Sequence, residues 1–409
     1  MIWRLFKRKA KVPENYKKLI DSQALDIVKD LQRGGHRAYL VGGCVRDLLL
    51  GMQPKDFDIA TSANPFRVKM LIQRSQIIGK RFRIVVARRR KQLMGSKQMI
   101  FPPIDRNKYL HEFQITTFRR APEKTLSGTI NENVFGSEKD DAERRDFTLN
   151  GLFFDPTSKK IVDYVGGEKD IQLKRIRTIG DPFIRFEEDP VRILRAVRFE
   201  VRTGFHLEKQ TEAALKSKAA CLLQAKKERT REEFLKMAKD GYLSSFIQKL
   251  QKYKLLEFVS PCLAKHCHQQ GAAFFDMLSC YDRAAKKIHW PNQHLSAPFL
   301  FPLLFHVTKN RIELRPETLH LKDDILVSKA ELGYLEAIQQ TLNRVLKSHR
   351  PQQRLFFLQK RNIETQAQFF FTLKMLAECH GNPFDQLWKV NEEFWKELKS
   401  KHFSKRARH

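Results

Sequence analysis

Two short stretches, LVGGCVRDLLLG (residues 40–51) and PKDFDIA (residues 54–60), constrain this chain more than any other part of its sequence. An apolar run before two glycines predicts a strand, and the residues after the glycines predict a helix. PKDFDIA predicts a second strand, in which Asp56 and Asp58 share a face while Phe57 points into the core. Two adjacent carboxylates repel each other unless a structural Arg or Lys, a shared proton or a divalent metal lies between them.

The charge of the chain indicates the class of partner. Its 409 residues carry 77 Lys and Arg against 46 Asp and Glu, a formal net charge of +31. Such an excess predicts a polyanion partner, most simply nucleic acid. No apolar run reaches the roughly 18 residues of a membrane span, and the opening MIWRLFKRKAK lacks the apolar core of a signal peptide. Six cysteines without framework spacing indicate reduced thiols in a cytoplasmic protein.

The first 155 residues mix helix and strand patterns. DSQALDIVKDLQRGG predicts a helix that Asp21 or Ser22 caps and that two glycines end. Residues 79–87 and 112–119 alternate like strands. The basic segment between them, residues 88–111, predicts a long loop or β-excursion, whose arginines fit a solvated charge run and an RNA-facing flap equally well.

The rest of the chain, from about Asp181, has helical periodicity almost throughout. ERTREEFLKMAKDGY suggests a capping box in which Thr230 and Glu233 begin a helix. CLAKHCH, residues 262–268, has no CxxC knuckle and no second ligand pair, so we interpret it as ordinary helix or loop rather than as a zinc site.

Two further features bear on chemistry. The turn at Gly42 and Gly43 lets backbone N–H groups approach a phosphate, which Arg46 on the next helix can reach. In RFEEDPVRILRAVRF, Asp189 and Pro190 predict a helix start. Arg192, Arg195 and Arg198 then form a cationic stripe with few acidic partners, suited to phosphates or base edges; a solvated helix is the alternative.

Together these motifs, with GKRFRI, NVFGSEKDDAERRDFTLNGLFFD and DYVGGEKDIQLKRIRTIGDP, resemble the class II tRNA nucleotidyltransferase and poly(A) polymerase family of the polymerase-β superfamily. The resemblance spans roughly residues 20 to 240. It implies an α+β fold in which a polymerase-β-like head, a mixed sheet with helices, precedes an all-helical neck, body and tail. We expect a basic arm (1–20), the head (21–155), a neck with the nucleotide-recognition helix (156–240), an RNA-binding body (241–400) and a basic tail (401–409).

The resemblance also assigns roles residue by residue. It implies that Asp56 and Asp58 bind two Mg²⁺ ions and that Asp146 joins them as a catalytic acid. The nucleotide-binding positions it implies, for phosphates, base and further contacts, are Gly43, Arg46, Arg145, Asp189, Arg192, Arg195 and Arg198. Asp189 and Arg192 match the protein template, in which an acceptor beside a donor pairs with the base.

One position departs from the family pattern. Gln114 stands in QITTFR where a third carboxylate near the metal is usual. Glu112 lies two residues earlier on the same face, about 6–7 Å along the strand. Three explanations stay open: Asp146 suffices, activity is weakened, or a bulge shifts the register.

The resemblance favours a template-independent poly(A) polymerase, which adds AMP from ATP to RNA 3′-hydroxyl ends and takes part in mRNA processing. "NVFGSEKDDAERRDFT" and "EDPVR" resemble poly(A) polymerases more than CCA-adding enzymes. A CCA- or A-adding tRNA nucleotidyltransferase is the first alternative. A non-catalytic RNA-binding relative is the second, made plausible by Gln114. We expect RNA 3′ ends as partners and no membrane; the sequence does not give an oligomeric state.

Overall fold

The computed structural model describes most of the first 287 residues and parts of the rest. The described residues are 16–79, 83–90, 110–120, 123–124, 130–131, 134–287, 300, 303, 305–307, 312–314, 327–346, 372–373, 375–380, 384–385 and 389. The first fifteen residues of the expected arm, most of the 88–111 segment and the expected basic tail lie outside them.

A seven-stranded mixed sheet forms the N-terminal part of the chain. Its strand order is β3-β4-β5-β2-β1-β8-β9, and every neighbouring pair is antiparallel except β2 with β5. The strands are β1 (Ala38–Val41), β2 (Asp58–Thr61), β3 (Ser75–Ile78), β4 (Ile84–Arg90), β5 (Leu110–Thr117), β8 (Leu152–Asp155) and β9 (Lys160–Asp163). Two short pairs stand apart, β6 (Glu123–Lys124) with β7 (Ile130–Asn131) and β10 (Arg175–Ile176) with β11 (His206–Leu207).

The two faces of this sheet have different covers. Helix α2 (Ser22–Arg33) begins at the predicted cap, since Asp21 accepts from the Gln23 N–H, and it packs on β1 and β2. On the opposite face, alternate residues of β1, β2 and β8 join an aromatic cluster: Val41, Ala60 and Phe153 pack with Phe118 and Ala142. Because Asp58 lies two residues before Ala60, its side chain is on this second face.

The remaining helices of the N-terminal part are short. They are α1 (Tyr16–Leu19), α3 (Gly43–Leu49), α4 (Pro65–Leu71), α5 (Glu138–Glu143), α6 (Gly167–Gln172) and α7 (Pro182–Glu188). The predicted strand after residue 38, the helix after the glycines and the strand over 112–119 are confirmed. The predicted DFD strand is partly wrong, because β2 begins at Asp58 and Asp56 precedes it.

The chain forms two compact units. Of the described residues, the first contains the chain up to Arg90, the stretch from Leu110 to Glu188 and Thr203–Leu215; the second contains Asp189–Arg202 and the chain from Lys216 onward. Helices make up most of the second unit. They are α8 (Val191–Thr203), α9 (Lys209–Ser217), α10 (Lys227–Asp240), α11 (Leu243–Lys252), α12 (Leu256–Val259), α13 (Pro261–Lys287) and a further helix at Lys329–Leu346. Helices α8 and α9 each continue across a boundary between the two units. The expected neck and body boundaries stay predictions.

Two local expectations in the second unit are corrected. Helix α10 begins at Lys227, so Thr230 and Glu233 lie inside it as buried residues and not at its start. A short antiparallel strand pair, β12 (Phe305–Val307) with β13 (Ile312–Leu314), interrupts the helical pattern.

The structure bears on the cysteines and on membrane-spanning helices. All six cysteines are free thiols. In the described ranges, no helix combines the length and the apolar character that a membrane crossing needs.

Candidate active site

The glycine turn after β1 has a geometry that requires glycine at its first position. Gly42 adopts φ 74° and ψ −127°, a region that L side chains rarely occupy. A Cβ atom at Gly42 would also lie 3.1 Å from the Nη1 atom of Arg145. At Gly43 the backbone is ordinary, and a Cβ atom would lie 3.6 Å from Nη2 of Arg46. The turn therefore lies against two arginines, Arg46 of the GGCVRD segment and Arg145 of the RRDFTLN segment.

The two carboxylates of DFD stand at the start of β2 and are exposed, while Phe57 between them is buried. Water reaches the Asp58 carboxylate, yet the surrounding protein desolvates it enough to raise its pKa. The Arg145 guanidinium lowers that pKa, and the neighbouring Asp56 charge raises it further. The charges of Asp56 and Arg145 therefore both act on the Asp58 carboxylate.

Arg145 is held rigidly beside the turn. Its Nε and Nη2 atoms donate to Asp141 at 3.2 and 2.9 Å, and its Nη1 donates to the Asn150 carbonyl at 3.3 Å. The guanidinium also lies over the Phe153 ring, 5.3 Å from the centroid. Burial alone would raise the pKa of Asp141, but Arg145 and Arg144 outweigh it and lower that pKa. The fully buried Asp141 is a residue that the sequence reasoning missed.

A buried network joins the GGCVRD and RRDFTLN segments. Arg46 is only 2% exposed; its Nη2 donates to Asp47 at 2.7 Å and its Nη1 to Oδ1 of Asn150 at 2.8 Å. The amide nitrogen of Asn150 in turn donates to Asp146 at 3.2 Å, and the Phe147 N–H donates to the same oxygen at 2.8 Å. The structure therefore places Arg46 in the interior, where it supports the turn; its expected phosphate contact stays a prediction.

The expected template residues lie in the second unit, at the start of α8. Asp189 accepts two parallel hydrogen bonds from Arg229 of α10, at 2.7 and 2.8 Å, and lies 3.9 Å from Nε of Arg192. A bidentate guanidinium fixes the plane of a carboxylate. Arg229 was not identified from the sequence, because nothing in the local pattern links residues 40 positions apart.

The rest of the cationic stripe is also paired, so the expectation of few acidic partners is wrong. The Glu233 carboxylate, 3% exposed, accepts from Nε of Arg198 and lies 3.9 Å from Arg195 and 3.3 Å from Lys236. Burial acts to raise the pKa of Glu233, but Arg198 and its two neighbours lower it overall. Arg198 is buried and pairs with Glu233 of α10, so at this residue the stripe is not a solvated helix surface.

The strand register next to Asp58 contains no bulge. Strands β2 and β5 are parallel, and Asp58 pairs with Gln114, Ile59 with Ile115 and Ala60 with Thr116. No residue is inserted, so Gln114 stands beside Asp58 on the same face. Glu112 is two positions earlier and receives a 2.7 Å hydrogen bond from Nε of Arg88. The basic run at the start of the 88–111 segment is thus in part a paired strand edge.

The donor atoms around Asp58 fit a hard divalent cation. The exposed groups here are a carboxylate just before β2, a carboxylate at its first residue and an amide oxygen on β5, and these are ligand types that Mg²⁺ takes. Among the described residues, no group of three or more His, Cys, Asp and Glu side chains is arranged to hold a metal ion. Oδ1 of Asp146 accepts from the Asn150 amide and the Phe147 N–H; its expected part as a catalytic acid stays a prediction, as does metal binding by Asp56 and Asp58.

Comparisons with known proteins match the two parts of the chain separately. Residues 38–177 match the Poly A polymerase head domain, and residues 204–267 match the probable RNA- and SrmB-binding site of polymerase A. The first match spans the glycine turn, the DFD strand and RRDFTLN. The second spans α10, which carries Arg229 and Glu233.

Individual relatives come from both branches. The chain is 33% identical to poly(A) polymerase I of Haemophilus influenzae over 309 residues, 71% of this chain and 63% of that one, so it spans less than two thirds of that relative. It is 35% identical to a CCA-adding enzyme of Bacillus pumilus over 240 residues, 58% of this chain and 54% of that one. The crystal structure of the Bacillus stearothermophilus CCA-adding enzyme with CTP matches with a TM-score of 0.57 at 25% identity, covering 92% of this chain and 82% of that one.

Proposed function

Since the chain belongs to the class II tRNA nucleotidyltransferase and poly(A) polymerase family, we propose that it is a template-independent poly(A) polymerase. It adds AMP from ATP to RNA 3′-hydroxyl ends. The observation that carries the proposal is the meeting of the Gly42 turn, Asp58 and Arg145 at one point of a head-domain sheet. The poly(A) polymerase matches extend over 255 to 309 residues at 33–37% identity, and the CCA-adding matches over 236 to 257 residues at 34–35%, which supports this branch over CCA addition.

The reaction is a nucleotidyl transfer. The RNA 3′-hydroxyl gives up its proton to solvent and its oxygen forms a bond to the α-phosphorus of ATP, while the bond from that phosphorus to the pyrophosphate oxygen breaks and pyrophosphate leaves. Asp56 and Asp58 would hold two Mg²⁺ ions, which when bound would stabilise the negative charge that develops during the transfer. Catalysis otherwise rests on positioning and electrostatics.

The chain's own residues then have distinct roles. The Gly42–Gly43 turn lets the backbone approach the phosphates, since no side chain intervenes. Arg145, held by Asp141 and Phe153, presents a fixed positive charge beside Asp58. The buried Arg46 and Asn150 hydrogen-bond to each other behind the turn, and Asn150 connects them to Asp146.

We further propose that α8 reads the base. Asp189 offers acceptors and Arg192 donors, and together they suit the amino group and ring nitrogen of adenine. Arg195 and Arg198, beside Glu233, are further nucleotide contacts that the resemblance implies. The excess of 31 positive charges and the match of residues 204–267 support RNA as the second substrate.

One assay tests the proposal against both alternatives. The full chain is given Mg²⁺ with either an oligo(A) primer or tRNA lacking its 3′ end, and with ATP alone or ATP plus CTP. Open-ended tails on oligo(A) from ATP alone are expected. A stop after three additions that need CTP would identify a CCA-adding enzyme instead.

The matched control is Asp58→Asn in the same assay. Asp58 is exposed, so the substitution should leave the core unchanged. It should abolish incorporation because it removes one of the two carboxylates that we propose to hold Mg²⁺. Magnesium-independent RNA binding with no incorporation by the wild-type chain would identify a non-catalytic RNA-binding relative.

A further inference from the structure

We propose that the side-chain oxygen of Gln114 is a neutral ligand for the divalent cation held by Asp56 and Asp58, and that the site consequently binds this cation weakly until ATP phosphates join it. The inference rests on the proposed nucleotidyl-transfer site and assigns it a third ligand. It also makes cation loading dependent on the nucleotide.

Gln114 and Asp58 lie side by side on one face of the sheet. Gln114 is the direct partner of Asp58 across the parallel β2–β5 pair, so their side chains leave the same face of adjacent strands, about 4.8 Å apart at the backbone. Both residues are exposed. In the part of the chain that the structure describes, neither the Gln114 amide nor the Asp58 carboxylate hydrogen-bonds to another side chain. Both are therefore open to the same ligand.

Two other acids, Glu112 and Asp146, accept hydrogen bonds from residues outside the DFD stretch. Glu112 would have to reach over two strand positions, about 6–7 Å, and its carboxylate accepts from Arg88, which also donates to Gln76 at 2.9 Å. Asp146 accepts from the Asn150 amide and the Phe147 N–H through one oxygen. Gln114, by contrast, places a side-chain oxygen directly across the β2–β5 pair from Asp58.

The net charge of these ligands determines how firmly the site holds a cation. Asp56 and Asp58 contribute two negative charges, and Arg145 lies close enough to Asp58 to offset part of them. An amide oxygen ligates a hard cation without adding charge. Magnesium gives up its waters reluctantly and commonly completes its shell with substrate phosphates. A site with this charge balance should therefore hold the ion firmly only when the triphosphate is present.

Metal titration of the full chain tests the inference without any RNA or catalysis. Mn²⁺ binding is measured by electron paramagnetic resonance for the wild type, Gln114→Glu, Gln114→Ala and Glu112→Gln, with and without a non-hydrolysable ATP analogue. Gln114→Glu should tighten nucleotide-free binding by roughly tenfold or more, because it adds a charge next to the ion. Gln114→Ala should weaken binding several-fold, and Glu112→Gln should leave it unchanged.

The analogue supplies a second readout. It should tighten Mn²⁺ binding much more in the wild type than in Gln114→Glu. Three results would each overturn the inference: Glu112→Gln weakening the binding, Gln114→Glu leaving it unchanged, or no specific binding in any of the variants. Residues 112 and 114 are exposed, so an unchanged melting temperature in EDTA establishes that the variants are folded.

The two proposals fail separately. Absent tail synthesis with the expected Mn²⁺ pattern would contradict the proposed function and leave the ligand assignment standing. Normal tail synthesis with an unchanged Mn²⁺ affinity in Gln114→Glu would contradict the ligand assignment alone.

Discussion

At the scale of single residues, the site is built from side chains that support one another. Asn150 illustrates this: its two amide atoms connect the buried Arg46 to Asp146. Neither the composition nor the spacing of RRDFTLN distinguishes Asn150 from an ordinary turn residue. Its role follows from a contact between residues 104 positions apart.

Asp58 is the residue on which activity should depend most directly. Asp58→Asn keeps the side-chain volume but removes an anionic ligand, and metal ligation is worth several kcal/mol of transition-state stabilisation. We expect kcat for AMP incorporation to fall by at least about 100-fold, measured with a labelled oligo(A) primer. Glu143→Gln, an exposed acid of the same unit, should retain full activity; an Asp58→Asn enzyme with wild-type kcat would remove Asp58 from the site.

Asn150→Ala should lower stability as well as activity. The buried Arg46 Nη1 group loses its acceptor, and an unsatisfied buried donor costs about 1–3 kcal/mol, more when it is charged. Urea unfolding followed by circular dichroism measures the change. An unfolding midpoint equal to that of Glu143→Ala would show that the network does not carry stability.

At the scale of elements, helices α8 and α10 form a charge-matched pair. Along α10, Arg229, Glu233 and Asp240 face Asp189, Arg198 and Arg202 of the α8 segment, the last pair at 3.9 Å. Phe234 and Met237 of α10 are buried at the same time. The pairing orients the residues that we propose to read the base.

Arg229 should therefore affect nucleotide selectivity. Arg229→Ala frees the Asp189 carboxylate to rotate, so kcat/KM for ATP should fall about tenfold and the ratio of ATP to CTP incorporation should fall with it. Arg229→Lys keeps the charge but loses the planar fork, and should recover only part of the ratio. Lys226→Ala, which removes an exposed cation at the start of the same helix, should change neither; an equal loss for ATP and CTP in Arg229→Ala would refute the positioning role.

Glu233 gives a prediction for pH dependence. Burial acts to raise its pKa, but Arg198, Lys236 and Arg195 together outweigh burial and lower the pKa in the folded chain below the ordinary 4.5. Such a group contributes stability above its unfolded pKa, and that stability is lost as pH falls through the lower, folded value. Glu233→Gln should thus be less stable at pH 7 by about 3 kcal/mol, and the difference should shrink below about pH 4.5.

Urea midpoints at several pH values measure this difference. The adjacent Glu232→Gln is the matched control, since Glu232 is 62% exposed and lies 3.7 Å from Lys236 on its own helix. A stability difference that is constant between pH 4 and pH 7 would contradict the ion pair between Glu233 and Arg198.

At the scale of the whole molecule, charge sets how the chain meets RNA. With a formal net charge of +31, binding of a single-stranded RNA should weaken steeply with salt, with a slope of about −0.7 per phosphate neutralised in log affinity against log concentration. Fluorescence anisotropy with an oligo(A) probe from 50 to 300 mM KCl measures the slope. A salt-independent affinity would mean that the charge excess does not contact RNA.

The sequence by itself determined several helices and strands of the N-terminal part and indicated which acids to examine. Apolar periodicity and glycine placement gave β1, α2, α3 and β5, because these patterns act over a few residues. The motifs also indicated Asp56, Asp58, Arg145 and Asp189 as the residues to examine. Edge strand β3 and the strand pair β12–β13 were missed, since short strands carry little local signal.

The tertiary structure alone decided what each of these residues contacts. It placed Gln114 beside Asp58, buried Arg46 against Asp47 and Asn150, paired Asp189 with Arg229 and moved Glu233 from a helix cap to an ion pair with Arg198. Each contact joins residues that are far apart in sequence, apart from Arg46 with its neighbour Asp47. Strand register and helix packing, which depend on the folding of the entire unit, bring such residues together.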